Sequence, residues 1–454
     1  MIEAGVLERL AQPAGACLVD AVTRALADHP LTPADVARWR RDADPALVSA
    51  AIELASARAS LHGRIAAADA FWCDRAGAAQ ASDDLSAQWK AQRAATAAAA
   101  LQAQDARPTM APHARDMHAT PAAPHEADSA ARRASPLLVD YCCGIGADLA
   151  HFGVALGGRV EGADLRADRA WMARRNAGVT VHAADVRTWR SSAPLAHIDP
   201  ARRDEGTGAR RHGWDALEPG PDLIAELIAR HDGVMVKLGP GTDVPPDARP
   251  PGSELVVISR SGSLTQAVLC TGTLASPPPP WRHTCDSARA VLLREGMPTV
   301  EIAGQRSWSS GRGAAHWPCA GGWGRIIAEP DPALERSGLL PDAARALGLA
   351  EVHPGLGLCT DAGPECNLGA TDASPWWRAW DVRTCTAGRI EDVRECVRAM
   401  GAGTVEVKVR GGAANADAWS RALRGDSGSA LTVFVHRVPG RGVEAVVAMR
   451  RHAR

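Results

Sequence analysis

Asp140-Tyr141-Cys142-Cys143-Gly144-Ile145-Gly146-Ala147-Asp148 is the stretch whose reading decides the fold. It follows the apolar residues Leu137-Leu138-Val139 and precedes a helical pattern from Leu149 to Leu156. A strand, a glycine turn and a helix are therefore expected, with Gly144 and Gly146 letting the backbone pass close to a ligand at the helix N-terminus. Two acids follow at corresponding places. Asp164 ends the next strand (160–165), where a carboxylate can accept both hydroxyl protons of a ribose. Asp185 ends the third (179–186), where it can accept from an adenine amino group.

Outward from this core the rhythm continues. Leu195 to Asp199 and Gly233 to Leu238 read as fourth and fifth strands, with helices over 168–176 and 223–229. Such βαβ alternation predicts a parallel, doubly wound sheet with ligands at the C-terminal strand ends. Then it breaks. Glu254 to Ser259 and Leu264 to Leu269 flank Arg260-Ser261-Gly262-Ser263, a hairpin signal, so the sheet is expected to end in an antiparallel pair. A dinucleotide fingerprint would place a third glycine where Leu149 stands. An acid opening the motif (Asp140) and a closing hairpin instead resemble S-adenosylmethionine-dependent methyltransferases, whose ligand has no pyrophosphate and needs no third glycine. That reading is preferred over a nicotinamide enzyme, with Asp140, Cys142, Gly144, Gly146, Asp164 and Asp185 as the cofactor-binding set.

The fourth strand runs into Asp199-Pro200-Ala201-Arg202-Arg203, similar to the D-P-P-R and D/N-P-P-aromatic motifs of RNA, DNA and protein methyltransferases. Asp199 can accept a substrate N–H while the proline fixes the turn. Ala201 stands where those motifs have a second proline, and no aromatic residue follows. Asp199 and Lys237, at the ends of strands four and five, are the expected catalytic pair. Arg202 and Arg203, with Arg210, Arg211 and His212, are candidate phosphate ligands, interrupted by Asp204 and Glu205. Cys142 and Cys143 invite a thiolate nucleophile, but they lie in the cofactor turn, so packing or cofactor contact is the expected role.

The rest of the chain divides by composition. Residues 1–104 read as a helical region, with Thr32 or Asp35 as a cap. Residues 105–135 read as a flexible Pro/Ala-rich linker, 136–280 as the sheet domain, 281–328 as connecting strands and loops, and 329–454 as an α+β module. The 454 residues carry 51 Lys+Arg against 52 Asp+Glu and are 46% hydrophobic, which excludes a wholly disordered chain. No apolar run approaches the ~20 residues of a membrane span. The acidic start, Met1-Ile2-Glu3-Ala4-Gly5, lacks a signal peptide's basic segment, so the cytoplasm is the expected location. Eleven cysteines without a CxxC, and a single HxxC pair at His316 and Cys319, predict reduced thiols and no metal site. Among the basic residues just three are lysines (Lys90, Lys237 and Lys408), which is read as a GC-rich coding bias.

Taken in order, Asp140 to Asp148, Ile198 to Arg203, Val236 to Gly241, Glu329-Pro330-Asp331-Pro332 and Val407 to Gly411 resemble a bacterial family of class I methyltransferases carrying a C-terminal THUMP-like domain. These segments span 136–454, and Trp72 to Arg93 resembles the family less distinctly. The resemblance implies S-adenosylmethionine binding and, by analogy with true THUMP domains, contact with RNA such as tRNA or rRNA. Residues 281–454 hold 22 basic and 19 acidic groups, the one positive balance along the chain. There Lys408 and Arg410, two apart on one strand, share a face and are the expected RNA contacts. Two other readings stay open: a non-catalytic RNA-binding protein on this scaffold, and a methyltransferase for a protein or small molecule.

Overall fold

A computed structural model describes residues 2–105, 135–201, 213–276, 287–306, 320–353, 355–363, 366, 368, 374–426, 428–438 and 440–451. Most of the predicted linker, Arg202 and Arg203, Arg210 to His212, Pro277 to Pro280, and His316 with Cys319 lie outside the described residues. The chain forms two compact units. The first comprises Met1–Glu254, Thr265–Ser276 and Arg282–Cys285, and the second Leu255–Leu264, Pro277–Trp281 and Asp286–Arg454. The helical region and the parallel sheet thus share one unit.

Six helices open the first unit: α1 (Ala4–Leu10), α2 (Pro13–Asp28), α3 (Pro33–Asp42), α4 (Pro45–Ala59), α5 (Arg75–Gln80) and α6 (Asp84–Asp105). Thr32 and Asp35 both act in capping α3. The Thr32 hydroxyl accepts from the Asp35 N–H, and the Asp35 carboxylate accepts in return from the Thr32 N–H, with Pro33 in the first turn.

The sheet follows as β1 (Leu138–Tyr141), α7 (Ala147–Ala155), β2 (Val160–Asp164), α8 (Ala167–Ala177), β3 (Thr180–Ala183), β4 (Leu195–Ile198), α9 (Pro221–Arg230) and β5 (Gly233–Leu238). β6 (Glu254–Arg260) and β7 (Ser263–Gly272) come next, joined at Ser261 and Gly262, both in the left-handed region as a two-residue type I′ turn demands. In this unit the strand order is β3-β2-β1-β4-β5-β7. All pairings are parallel until β7, which runs antiparallel to β5. β1, β4 and β5 are buried along their whole length, as expected of strands covered on both faces.

One apolar core joins the opening helices to the glycine turn and the helices α7 and α8 that flank the sheet. Leu7, Leu10, Val22, Leu54 and Leu61 pack in the same cluster as Ile145, Ala147 and Met172. A Cβ on Gly77 would stand 2.5 Å from the Ile145 side chain, so α5 can lie on the glycine turn only because residue 77 has none. Asn176 on α8 ties the two layers together: its amide donates to the carbonyls of Trp72 and Ile145, and its oxygen accepts from the Trp72 N–H, each at 2.8 Å.

The second unit contains β6, β8 (Ser287–Leu293) and β9 (Val300–Gln305), neighbours in that order. It then has β10 (Ile326–Pro330), α10 (Pro332–Ser337), α11 (Leu340–Arg345), β11 (Leu349–Glu351), β12 (Cys359–Asp361), β13 (Trp377–Ala387), α12 (Ile390–Ala399), β14 (Ala402–Val409), α13 (Ala416–Leu423), β15 (Ser429–Val438) and β16 (Gly442–Arg450). Seven of these strands form a sheet of order β11-β12-β10-β13-β16-β15-β14. Val393 and Val397 of α12 and Leu423 of α13 pack against Val405, Val433 and Val447, which makes the expected α+β module. No helix among the described residues is long and apolar enough to cross a membrane.

Candidate active site

The glycine turn leaves β1 through three left-handed residues, Cys142 (φ 57°), Gly144 (φ 57°) and Gly146 (φ 81°). Gly146 is required twice over, because its φ excludes most side chains and a Cβ there would stand 2.8 Å from the Ala173 backbone. Around this turn the first unit gathers two sets of ionisable groups.

The first set lies where the cofactor was expected. The Gly144 N–H donates to Asp164 Oδ2 and the Arg166 N–H to Oδ1, both at 2.9 Å. Each oxygen of that buried carboxylate keeps a lone pair for a further donor. Burial raises its pKa against the pull of those two N–H groups and of Arg169 and Arg166. Asp185 lies two residues beyond β3 and accepts from the Arg187 N–H at 2.9 Å. Asp140 does not face the turn in the same way. It is 1% exposed, and its Oδ1 meets Nδ1 of His197, its register partner on β4, at 2.6 Å. Burial pushes the Asp140 carboxyl up despite that neighbour. Burial also lifts the thiols of Cys142 and Cys143 well above the ordinary range, as do nearby carboxylates, so both are neutral and poor nucleophiles.

The second set is a chain of four charges. Lys90 Nζ on α6 lies 2.6 Å from Asp148 Oδ1, and Asp148 Oδ2 is 3.4 Å from Lys237 Nζ on β5. Lys237 Nζ then donates to Asp199 Oδ2 at 2.7 Å. Ser82 donates to Asp148 at 2.9 Å, and Lys90 donates to Ser82 and to Gln266 at 3.2 Å. Side-chain exposure climbs from 0% at Lys90 and 7% at Asp148 to 25% at Asp199, while Lys237 is 4% exposed. Burial alone would raise the Asp148 carboxyl; Lys90 and Lys237 outweigh it and hold the group well below the usual carboxylate range. Burial lowers Lys90 against the opposing pull of Asp148. Asp148 also sits in the first turn of α7, where the helix dipole favours its charge.

Sequence reasoning singled out Asp199 and Lys237, and the structure brings them together. It did not single out Lys90, Asp148, Ser82 or His197. A usable signal existed in the lysine count: where arginine fills nearly every basic position, the three lysines mark places that need a compact charge. Lys90, Lys237 and Lys408 each hold a buried carboxylate.

In the second unit Lys408 and Arg410 do share a face, and both reach Glu329. Lys408 Nζ is 2.6 Å from Glu329 Oε2, Arg410 Nη2 is 2.9 Å from Oε1, and Arg378 Nε is 3.6 Å from Oε2. Lys408 also lies over the Trp380 ring, 5.0 Å from its centre. With 17% of its side chain exposed, Lys408 is held by protein groups, and Arg410, at 40%, is the more accessible of the pair.

Residues 377–450, from β13 to the end of β16, match the family described as THUMP domain-like. Two S-adenosylmethionine-dependent methyltransferases of Mycobacterium tuberculosis, from strains CDC 1551 and H37Rv and both described as uncharacterised, are 29% identical over 336 residues, covering 72% of this chain and 84% of each relative. A crystal structure from Porphyromonas gingivalis W83, of a protein assigned as a methyltransferase, aligns over 96% of this chain and 98% of its own with a TM-score of 0.60 at 15% identity, a likeness of fold. The strand order with its antiparallel β7, the THUMP domain-like match and these relatives converge: the chain has a methyltransferase fold, carries a THUMP domain-like segment at 377–450, and is similar to S-adenosylmethionine-dependent methyltransferases.

Proposed function

We propose that the protein methylates RNA, a tRNA or rRNA, at a nitrogen presented to Asp199. The observation that carries this reading is the Asp199 carboxylate. It follows β4 at its C-terminal end, is partly open to solvent, and has one oxygen held by buried Lys237. The THUMP domain-like match supports RNA as the acceptor class.

The turn at 142–146 fits the cofactor on chemical grounds. Asp164 offers two anchored carboxylate oxygens to a ribose, and Asp185 offers an acceptor for an adenine amino group. Asp140 supports this turn from within through His197. Bound there, S-adenosylmethionine supplies a methyl group on a sulfonium, ready for in-line displacement. The protein's own part is mostly positioning. Asp199 accepts the acceptor's N–H, raises the nitrogen's electron density and takes the proton released on methylation. Lys237 fixes that carboxylate, and Asp148 with Lys90 fixes Lys237.

Asp164→Ala is expected to weaken S-adenosylmethionine binding by about 1.5–3 kcal/mol, the scale of a charged hydrogen bond. Titration calorimetry checks this, and wild-type affinity in the variant would remove Asp164 from the cofactor site. For RNA, Lys408→Ala with Arg410→Ala is expected to flatten the log–log salt slope of binding by about 1, not about 2. Glu329 already neutralises part of their charge, and each phosphate contact contributes roughly 0.7–0.9. Filter binding over a salt series measures the slope. An unchanged slope and affinity would place the RNA path elsewhere on the protein.

A further inference from the structure

The second unit holds a cluster that neither methyl transfer nor RNA binding uses. His436 on β15 and Glu444 on β16 are direct cross-strand partners, and His353 follows β11. One ligand atom from each of the three lies within 4.8 Å of the others. His436 Nε2 and Glu444 Oε2 are 3.7 Å apart.

Burial gives this grouping its meaning. His353 is 8% exposed and His436 0%. Nε2 of His353 and both ring nitrogens of His436 have no hydrogen-bond partner among the described residues. The two rings stand 5.8 Å apart between centres, and Trp323 meets His436 edge-on at 5.3 Å. Buried polar atoms are normally satisfied, and one nitrogen from each of two buried imidazoles, gathered with a carboxylate oxygen, calls for a ligand that accepts lone pairs.

We propose that His353, His436 and Glu444 form a binding site for a divalent transition-metal ion, with zinc as the preferred occupant. Two imidazoles and one carboxylate suit zinc, whereas calcium and magnesium take sets built wholly of oxygen. With bonds of about 2.0–2.1 Å, a tetrahedral site separates its ligand atoms by roughly 3.3 Å. The 3.7 Å between His436 and Glu444 is close to that distance, and modest side-chain movement closes the rest. Three protein ligands leave a fourth position for water on the side of Glu444, whose side chain is 31% exposed. The ion would pin the segment after β11 to the β15–β16 pair. The cysteine-based expectation of no metal site did not consider this set, which joins His353 to residues of the β15–β16 pair some 80 residues later.

Titration of the tag-free, metal-stripped full-length protein with cobalt(II) tests the proposal, with zinc as competitor and thermal melting as a second readout. The expected result is a ligand-field absorption that saturates at one ion per chain, is displaced by zinc, and accompanies a zinc-dependent rise in melting temperature. Glu444→Gln and His353→Gln should each weaken binding by more than the roughly 10–100-fold that losing an outer-shell partner costs. Glu444 is partly exposed, so that variant should keep its far-UV circular dichroism and remain readable if a histidine variant misfolds. Absence of a saturable signal and of a zinc-dependent melting shift in the wild-type protein overturns the proposal. So does an unchanged signal in well-folded Glu444→Gln, which would place the metal elsewhere, for instance on cysteines.

Discussion

Asp199→Ala is expected to lower the single-turnover methylation rate by about 10²-fold and to leave S-adenosylmethionine affinity at the wild-type value. The split follows from placement. Asp199 follows β4 and meets Lys237, whereas Asp164 and Asp185, which we assign to the cofactor, follow β2 and β3. In the role we propose for Asp199, loss of the carboxylate removes the acceptor for the substrate N–H, while Lys237 keeps Asp148 as a partner. The assay is transfer of labelled methyl from S-adenosylmethionine to RNA from cells lacking the protein, paired with calorimetry of cofactor binding. An unchanged rate would remove Asp199 from the reacting centre, and a matching loss of cofactor affinity would move it into the cofactor site.

The second large effect concerns stability. Lys90→Met is expected to destabilise the fold by about 3–5 kcal/mol, because removing one partner of a buried pair strands the other charge in a poorly solvated place. Asp148 would keep Lys237 at 3.4 Å and Ser82 at 2.9 Å, but would lose its shortest ion pair, the 2.6 Å contact with Lys90. Adding Asp148→Leu to Lys90→Met should restore most of the loss, since apolar groups of similar volume often replace a buried pair at little cost. Lys237 then still has Asp199. Urea unfolding of the two single variants and the double variant gives the coupling energy. A single-variant loss below about 1 kcal/mol would mean that Lys237 and Ser82 alone compensate Asp148.

Much of the parallel sheet could be read from local pattern. Gly144 and Gly146 are needed for a left-handed turn, and Asp164 closes a short strand at the expected place. The break into antiparallel pairing was visible in the Ser261-Gly262 turn, since few residues other than glycine, asparagine and aspartate favour two successive positive φ values. These are short-range constraints, and sequence carries them directly.

What sequence did not show is long-range. Lys90 lies 58 residues before Asp148 and 147 before Lys237, on a helix that reads as a generic Ala-rich segment. Nothing local marks it as a buried cation; the scarcity of lysine does. The union of the helical region with the sheet was hidden for the same reason, because Gly77 against Ile145 is a steric match without a pattern. The pairing of Lys408 and Arg410 with Glu329 also escaped strand periodicity. That periodicity correctly put the two cations on one face but could not show the carboxylate waiting there from β10.

Nucleoside mass spectrometry of total tRNA and rRNA from a strain lacking this protein tests the central claim most directly. The account predicts that one methylated nucleoside is lost, is restored by the wild-type protein, and is not restored by Asp199→Ala present at equal abundance. Identical methylated-nucleoside profiles with and without the protein would contradict methylation of tRNA or rRNA.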